Sequence, residues 1–144
     1  LINKIDRRTM LAAGFVMITV FHILIGLSAL LLPAGPATPY IILFFVVLFV
    51  ASVQGAIAPP LWLILSEIFP PKVRSFAMGA SVFMLWMANA AVTFAFPPVV
   101  AALGIAPTFF IFGGIGVLAV VFVVKWIPET RGKTLEEIET GSTR

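Results

Sequence analysis

Residues 59–75 read PPLWLILSEIFPPKVRS, and this stretch decides how the chain around it must be arranged. It starts with a double proline inside an apolar run, ends that run at Glu67, and closes on a second proline pair and two bases. Proline cannot donate a main-chain hydrogen bond and its ring clashes with the preceding helical turn. The pattern therefore predicts an apolar helix that is interrupted at Pro59 and Pro60 and ends at a charged loop.

The composition is that of a membrane protein. The chain is 61% hydrophobic and 10% charged, whereas a soluble domain is about 45–50% apolar and about 25% charged. Its mean hydropathy is +1.16. The absence of cysteine from the sequence excludes disulfides and thiolate metal sites.

Charged residues fall in three clusters, at 4–8, 67–74 and 125–144. Residues 9–66 and 75–124 contain no Asp, Glu, Lys or Arg, and each gap exceeds twice the ~20 residues that a helical span needs. Each gap fits two crossings, so all three clusters are expected on one face of the membrane. All nine Lys and Arg lie in these clusters, which by the positive-inside rule assigns that face to the cytoplasm.

We predict an all-α, polytopic membrane protein with four transmembrane helices, because hydrocarbon offers no water to a lone strand. Pro97 and Pro98 are expected to stop the third helix, and Lys125 with Trp126 to anchor the fourth at the interface. The predicted spans are residues 10–32, 40–66, 76–96 and 107–126, and the predicted cytoplasmic segments are residues 1–9, 67–75 and 127–144.

Polar residues within the spans indicate which helices face protein or a wet cavity. Trp86, Asn89 and Thr93 fall at i, i+3 and i+7 of the third span, so they form one stripe. Gln54 and Trp62 in the second span are eight residues apart and also share a face. These faces predict a cavity for a polar ligand with an apolar side, although the amides could instead join helices by hydrogen bonds.

The double proline also points to such a site. Pro59 and Pro60 cannot donate to the carbonyls of Gly55 and Ala56, which must find partners in water, side chains or a substrate. An interrupted helix near the middle of a membrane is a pointer to a transporter binding site.

Three motifs resemble those of the sugar porters of the major facilitator superfamily. Residues 58–79, APPLWLILSEIFPPKVRSFAMG, resemble that family's G-P-x-x-W and S-E-x-F-P signature. Residues 128–139, PETRGKTLEEIE, resemble its P-E-T-K-G closing motif, and residues 4–10, KIDRRTM, resemble its D-x-x-G-R-R loop. The resemblance implies that residues 1–144 are a fragment of the C-terminal half of a twelve-helix fold, comprising its ninth to twelfth spans.

The resemblance also implies roles for individual residues. Those expected to line the substrate site are Gln54, Trp62, Trp86 and Asn89, and Pro59 with Pro60 would be the gating hinge. Leu85 stands where the family commonly has a polar residue, and Ala58 where it usually has glycine. A cytoplasmic latch that holds the outward-facing state is implied for Arg7, Arg8, Glu67, Arg74, Glu129 and Arg131. The alternative for these charges is an ordinary solvated loop.

The expected function is transport of a sugar or polyol (hexose, pentose or inositol) by alternating access, as a facilitator or proton symporter in the cell membrane. The alternatives are a non-transporting sugar sensor and a carrier of another solute on the same fold. Expected partners are the substrate, protons in the symporter case, the lipid bilayer and the missing N-terminal part of the transporter. We expect no enzyme activity, cofactor, metal or nucleic acid, since no catalytic set of side chains falls at a cavity position.

Overall fold

The computed structural model describes residues 6–33 and 35–127, and within these ranges the regular structure is helical with no strand. This confirms the all-α fold class. The helices are α1 Arg7–Leu31, α2 Thr38–Ser52, a π-helical turn Val53–Ile57, α3 Ala58–Ile68, α4 Arg74–Leu103 and α5 Ile105–Trp126. Because α2, the π-helical turn and α3 are continuous, the described chain forms four rods long and apolar enough to cross a membrane.

The expectation that Pro97 and Pro98 stop the third helix is wrong, because α4 runs through both prolines to Leu103. Hydrocarbon favours the helix over any other backbone arrangement, and neighbouring groups can satisfy the few carbonyls that proline leaves free. The helix ends instead at Gly104, whose φ of 87° suits glycine far better than a residue with a side chain. α5 follows directly, and Thr108 Oγ1 donates at 2.7 Å to the carbonyl of Gly104, the residue that caps the start of α5.

The first and last rods pack on each other through glycines. An added Cβ at Gly26 on α1 would lie 2.7 Å from a ring carbon of Phe110, and one at Gly113 on α5 would lie 3.2 Å from Ile23 Cγ1. A Cβ at Gly116 would collide with the hydroxyl of Thr19. Small residues let the α1 and α5 backbones approach closely, which is how helices gain packing energy in a membrane.

An aromatic cluster joins α1, α2, α4 and α5. The ring of His22 lies 4.7 Å from Phe49 and 5.8 Å from Phe112, between ring centroids. Phe96 of α4 lies 6.1 Å from both Phe109 and Phe112. These separations fall in the range where aromatic rings attract one another beyond the effect of area alone.

Helix α4 is the least packed element. None of its 30 residues is buried, and its contacts are with α5 and, more sparsely, α3. By contrast, α1 and α5 make the most extensive helix contact in the described chain. The fold therefore consists of a close-packed α1–α5 pair, an α2–α3 rod interrupted by the π-helical turn beside α1, and a long helix with most of its surface open.

A methyl group added at Gly116 tests the α1–α5 contact. Gly116→Ala should lower the thermal-unfolding midpoint of the protein in detergent by several degrees, because overpacking an interior contact costs about 1–3 kcal/mol. Gly114 is the matched control, since no heavy atom lies within 4 Å of its added Cβ. Gly114→Ala should leave the midpoint unchanged or raise it slightly. Equal midpoints for Gly116→Ala and the parent protein would contradict the assignment.

Candidate functional site

The break predicted at the double proline takes the form of a π-helical turn just before it. The Ala58 N–H donates to Val53 O, five residues earlier, and Pro59 and Pro60 follow Ala58 in the first turn of α3. Because α3 continues directly from the π-helical turn, each proline removes a main-chain donor that a preceding carbonyl would otherwise use. The carbonyl of Gly55 faces two prolines, four and five residues ahead, so it can accept neither an α-helical nor a π-helical hydrogen bond.

Gly14 of α1 lies directly against this turn, a contact that sequence reasoning did not find. An added Cβ at Gly14 would lie 2.6 Å from Ile57 Cγ1 and 3.2 Å from the main-chain carbon of Ala56. Ile57 is buried in the apolar core with Leu11 and Ile64. One glycine among many in apolar helices gives no sequence signal of its own, so only the packing reveals that α1 supports the π-helical turn.

The π-helical turn also aligns Gln54 with Trp62. In an uninterrupted α-helix, residues eight apart are offset by about 80° around the axis. A π-helical turn accommodates one extra residue, so the pair is related roughly as i and i+7 and the offset falls to about 20°. Both side chains are exposed in the described chain, Trp62 to 39%.

The residues predicted on the third span lie along one open stripe of α4. Trp86 is 64% exposed and Asn89 is exposed, as is Thr93, whose Oγ1 donates to Asn89 Oδ1 at 3.4 Å. Within the described residues, no hydrogen bond or ring contact joins this stripe to Gln54 or Trp62. The structure thus presents two separate faces rather than one assembled pocket.

The two amides lie at similar depth along their helices. At 1.5 Å per residue, and counting one residue fewer for the π-helical turn, Gln54 is about 18 Å from Glu67, and Asn89 is about 22 Å from Arg74. Glu67 and Arg74 flank the short connection between α3 and α4. Amides carried at similar depth on consecutive helices can contact the same small molecule.

Arg7 and Glu67, two of the residues predicted for the latch, form an ion pair. Arg7 Nη2 lies 2.7 Å from Glu67 Oε1, and the two side chains are 19% and 31% exposed. Arg7 Nε and Glu67 Oε2 are buried and make no hydrogen bond within the described chain. The pair joins the start of α1 to the end of α3. Arg7 Nε and Glu67 Oε2 could each form a further hydrogen bond.

The other predicted latch residues contact main-chain groups or lie beyond the described chain. Arg74 Nε donates to Phe69 O at 3.2 Å, which closes the α3–α4 connection. Arg8 Nη2 donates to Val124 O, near the end of α5. Glu129 and Arg131 lie outside the described residues. The starts of α1 and α4 and the ends of α3 and α5 therefore lie at the same end of the bundle.

Comparison with known proteins gives the family. A sequence model of the family described as "Sugar (and other) transporter" matches residues 1–141. The chain is 48% identical over 139 residues to the major myo-inositol transporter IolT of Bacillus subtilis (strain 168), covering 96% of this chain and 29% of that protein. It is 40% identical over 140 residues to the arabinose-proton symporter of the same organism, covering 96% of this chain and 29% of that protein.

Solved structures of sugar transporters also match the chain. The inward-open xylose transporter XylE from E. coli superposes with a TM-score of 0.84 at 30% identity, covering 99% of this chain and 31% of that one. The proton:xylose symporter XylE bound to 6-bromo-6-deoxy-D-glucose gives a TM-score of 0.80 at 31% identity, covering 97% of this chain and 30% of that one. The chain thus spans less than a third of the length of these relatives. It belongs to the sugar porter family of the major facilitator superfamily.

Proposed function

We propose that the chain is the C-terminal part of a twelve-span carrier that moves a sugar or polyol across the cell membrane by alternating access. The observation that carries this proposal is the π-helical turn between Gln54 and Trp62. By helix geometry it brings the two residues onto one side of their helix, at a depth similar to that of the exposed Asn89 on α4. The names of the relatives support the substrate class, since they are transporters of myo-inositol, arabinose and xylose.

The residue types suit a ring that bears hydroxyls. An indole offers a flat apolar face to the ring, as Trp62 and Trp86 do, while an amide can donate to or accept from a hydroxyl. Gln54 and Asn89 supply those amides on two neighbouring helices. A few convergent polar groups on an otherwise apolar lining are the usual composition of a small-molecule site.

The π-helical turn and the double proline form the hinge in this proposal. A π-helical turn inside an α-helix often lies at a functional site, and the freed carbonyls near Gly55 remove hydrogen bonds that would otherwise resist bending. Gly14 allows α1 to support the turn from one side. Bending here would move Gln54 relative to Trp62, which links substrate binding to the opening of the pathway.

The cytoplasmic latch is built around Arg7 and Glu67. The pair joins the start of α1 to the end of α3, and the proposal adds Arg8, Arg74, Glu129 and Arg131 to the same cluster. All nine Lys and Arg of the chain fall in its three charged clusters, which favours the cytoplasm for this end of the bundle. Two conformations that differ by a few kcal/mol can be biased by such pairs.

Replacing Trp62 tests the substrate site. In the full-length transporter, Trp62→Ala should raise the KM for uptake of its preferred sugar or polyol about tenfold, since losing the ring face removes about 1.4 kcal/mol or more of binding. The measurement is uptake of a radiolabelled panel of hexoses, pentoses and inositol, corrected for the amount of protein in the membrane.

The matched control is Trp126, which is 64% exposed at the end of α5 and stacks on Phe122. Trp126→Ala should leave the KM unchanged. Unaltered uptake of every accepted solute by Trp62→Ala would remove this residue from the site, and a parent transporter that takes up none of the panel would overturn the substrate class.

Breaking the Arg7–Glu67 pair tests the latch. Because the pair is proposed to hold the outward-facing state, Glu67→Gln should lower the outward-facing population about fivefold, which corresponds to roughly 1 kcal/mol. A reporter cysteine introduced by Leu85→Cys in a cysteine-free background, labelled by a membrane-impermeant maleimide from outside, should then react correspondingly more slowly.

Two further variants separate the latch from a general charge effect. Lys72, an exposed base in the same α3–α4 connection, is the control, and Lys72→Gln should not alter labelling. Exchanging the charges in the double variant Arg7→Glu with Glu67→Arg should restore most of the rate. Identical labelling of Glu67→Gln and the parent would show that the pair does not bias the two states.

A further inference from the structure

Because α4 continues through its double proline, the main-chain carbonyl of Thr93 lacks its usual hydrogen-bond donors. In an α-helix, Thr93 O would accept from the N–H of residue 97, and in a π-helical turn from that of residue 98. Both residues are prolines inside α4, and proline has no N–H. The Thr93 carbonyl therefore lacks both of these donors, as the Gly55 carbonyl does before Pro59 and Pro60.

Thr93 lies on the open side of α4. The residues of α4 that line the apolar groove against α5 are Val92, Ala95, Phe96, Val99 and Leu103. At 100° per residue, the stripe of Trp86, Asn89 and Thr93 is centred about a quarter of a turn away from that groove. The free carbonyl is thus on the same stripe as the residues proposed to bind substrate, and away from the α5 contact.

A main-chain carbonyl without a partner is costly in hydrocarbon, at several kcal/mol for each group. This cost favours a polar surrounding for the α4 stripe over lipid. The helix carries the same double-proline arrangement as the α2–α3 rod, where the free carbonyl adjoins Gln54. Each of the two helices that carry the proposed substrate residues therefore also carries a free carbonyl beside them.

The neighbouring side chains make Thr93 O suited to a hydroxyl. Thr93 Oγ1 donates to Asn89 Oδ1 at 3.4 Å, which leaves the amide nitrogen of Asn89 as the donor that the pair presents. A hydroxyl both donates and accepts. A sugar or polyol could accept from Asn89 Nδ2 and donate to Thr93 O, one helical turn further along α4.

We propose that the main-chain carbonyl of Thr93 is a hydroxyl-binding acceptor of the substrate site, kept free by Pro97 and Pro98. These two prolines are then specificity-determining residues, acting through the backbone of Thr93. The inference rests on the proposed function and adds to it a contact that no side chain provides. Its position, about 28 Å along α4 from Arg74, is further from the charged end than Asn89.

The test restores the missing donor. Pro97→Ala in the full-length transporter gives Thr93 O an α-helical partner and should raise the KM for the preferred substrate about three- to tenfold, the worth of one hydrogen bond. The maximal uptake rate, corrected for the amount of protein in the membrane, should stay within about twofold. Removing a proline from a helix interior favours the helix, and Pro97→Leu provides the same N–H if the alanine variant is poorly produced.

Deoxy analogues identify the contact itself. For the parent transporter, one monodeoxy analogue of the preferred substrate should bind several-fold more weakly than the substrate, measured by competition. For Pro97→Ala, that analogue and the substrate should bind equally, because the acceptor is now occupied. Pro107 in the first turn of α5 is the control, and Pro107→Ala should alter neither the KM nor the preference among analogues.

The outcomes separate this inference from the proposed function. If the parent transports the substrate and depends on Trp62, but both Pro97→Ala and Pro97→Leu keep the parent's KM and its full discrimination among analogues, the inference is wrong and the proposed function stands. If the parent takes up no sugar or polyol, the proposed function fails and the inference fails with it.

Discussion

The whole structure depends on the need of main-chain polar groups for partners where there is no water. In hydrocarbon an unpaired N–H or C=O costs several kcal/mol, so the chain must be helical wherever it crosses. This constraint explains why four rods account for nearly all of residues 6–33 and 35–127. It also makes the prolines the informative residues, because they are the places where a helix in this chain cannot satisfy its own carbonyls.

The two double prolines have different structural consequences. Before Pro59 the chain widens into a π-helical turn, whereas α4 continues as an α-helix through Pro97. The π-helical turn contains Gly55, and Gly14 of α1 lies against its backbone, so a neighbouring helix fills the space beside the irregular turn. No residue of α4 is buried, so its double proline is not enclosed in this way.

The sequence predicts the helical class, the number of rods and the grouping of the charged residues, because these follow from charge spacing and from membrane thickness. It does not predict where α4 ends. The rule that proline stops a helix comes largely from chains in water, and here the stop is Gly104 with its positive φ. The sequence also does not predict that α1 packs on α5. Gly116 is in close contact with α1 and Gly114 is not, but nothing in the sequence distinguishes the two glycines.

The candidate site was only partly accessible from the sequence for a related reason. Spacing places Gln54 and Trp62 on one side of a helix, but the closeness of their alignment depends on the extra residue in the π-helical turn. The exposed apolar surface of α4 does not say which of its sides meets lipid, since lipid and protein are equally good neighbours for Leu or Phe. The side of α4 that avoids lipid is indicated instead by its polar groups, because each of them loses hydrogen bonds in hydrocarbon. These groups are Asn89, Thr93 and the free carbonyl of Thr93. The polar atoms of α4, rather than its apolar area, therefore define the side that faces the substrate pathway in the proposed transporter.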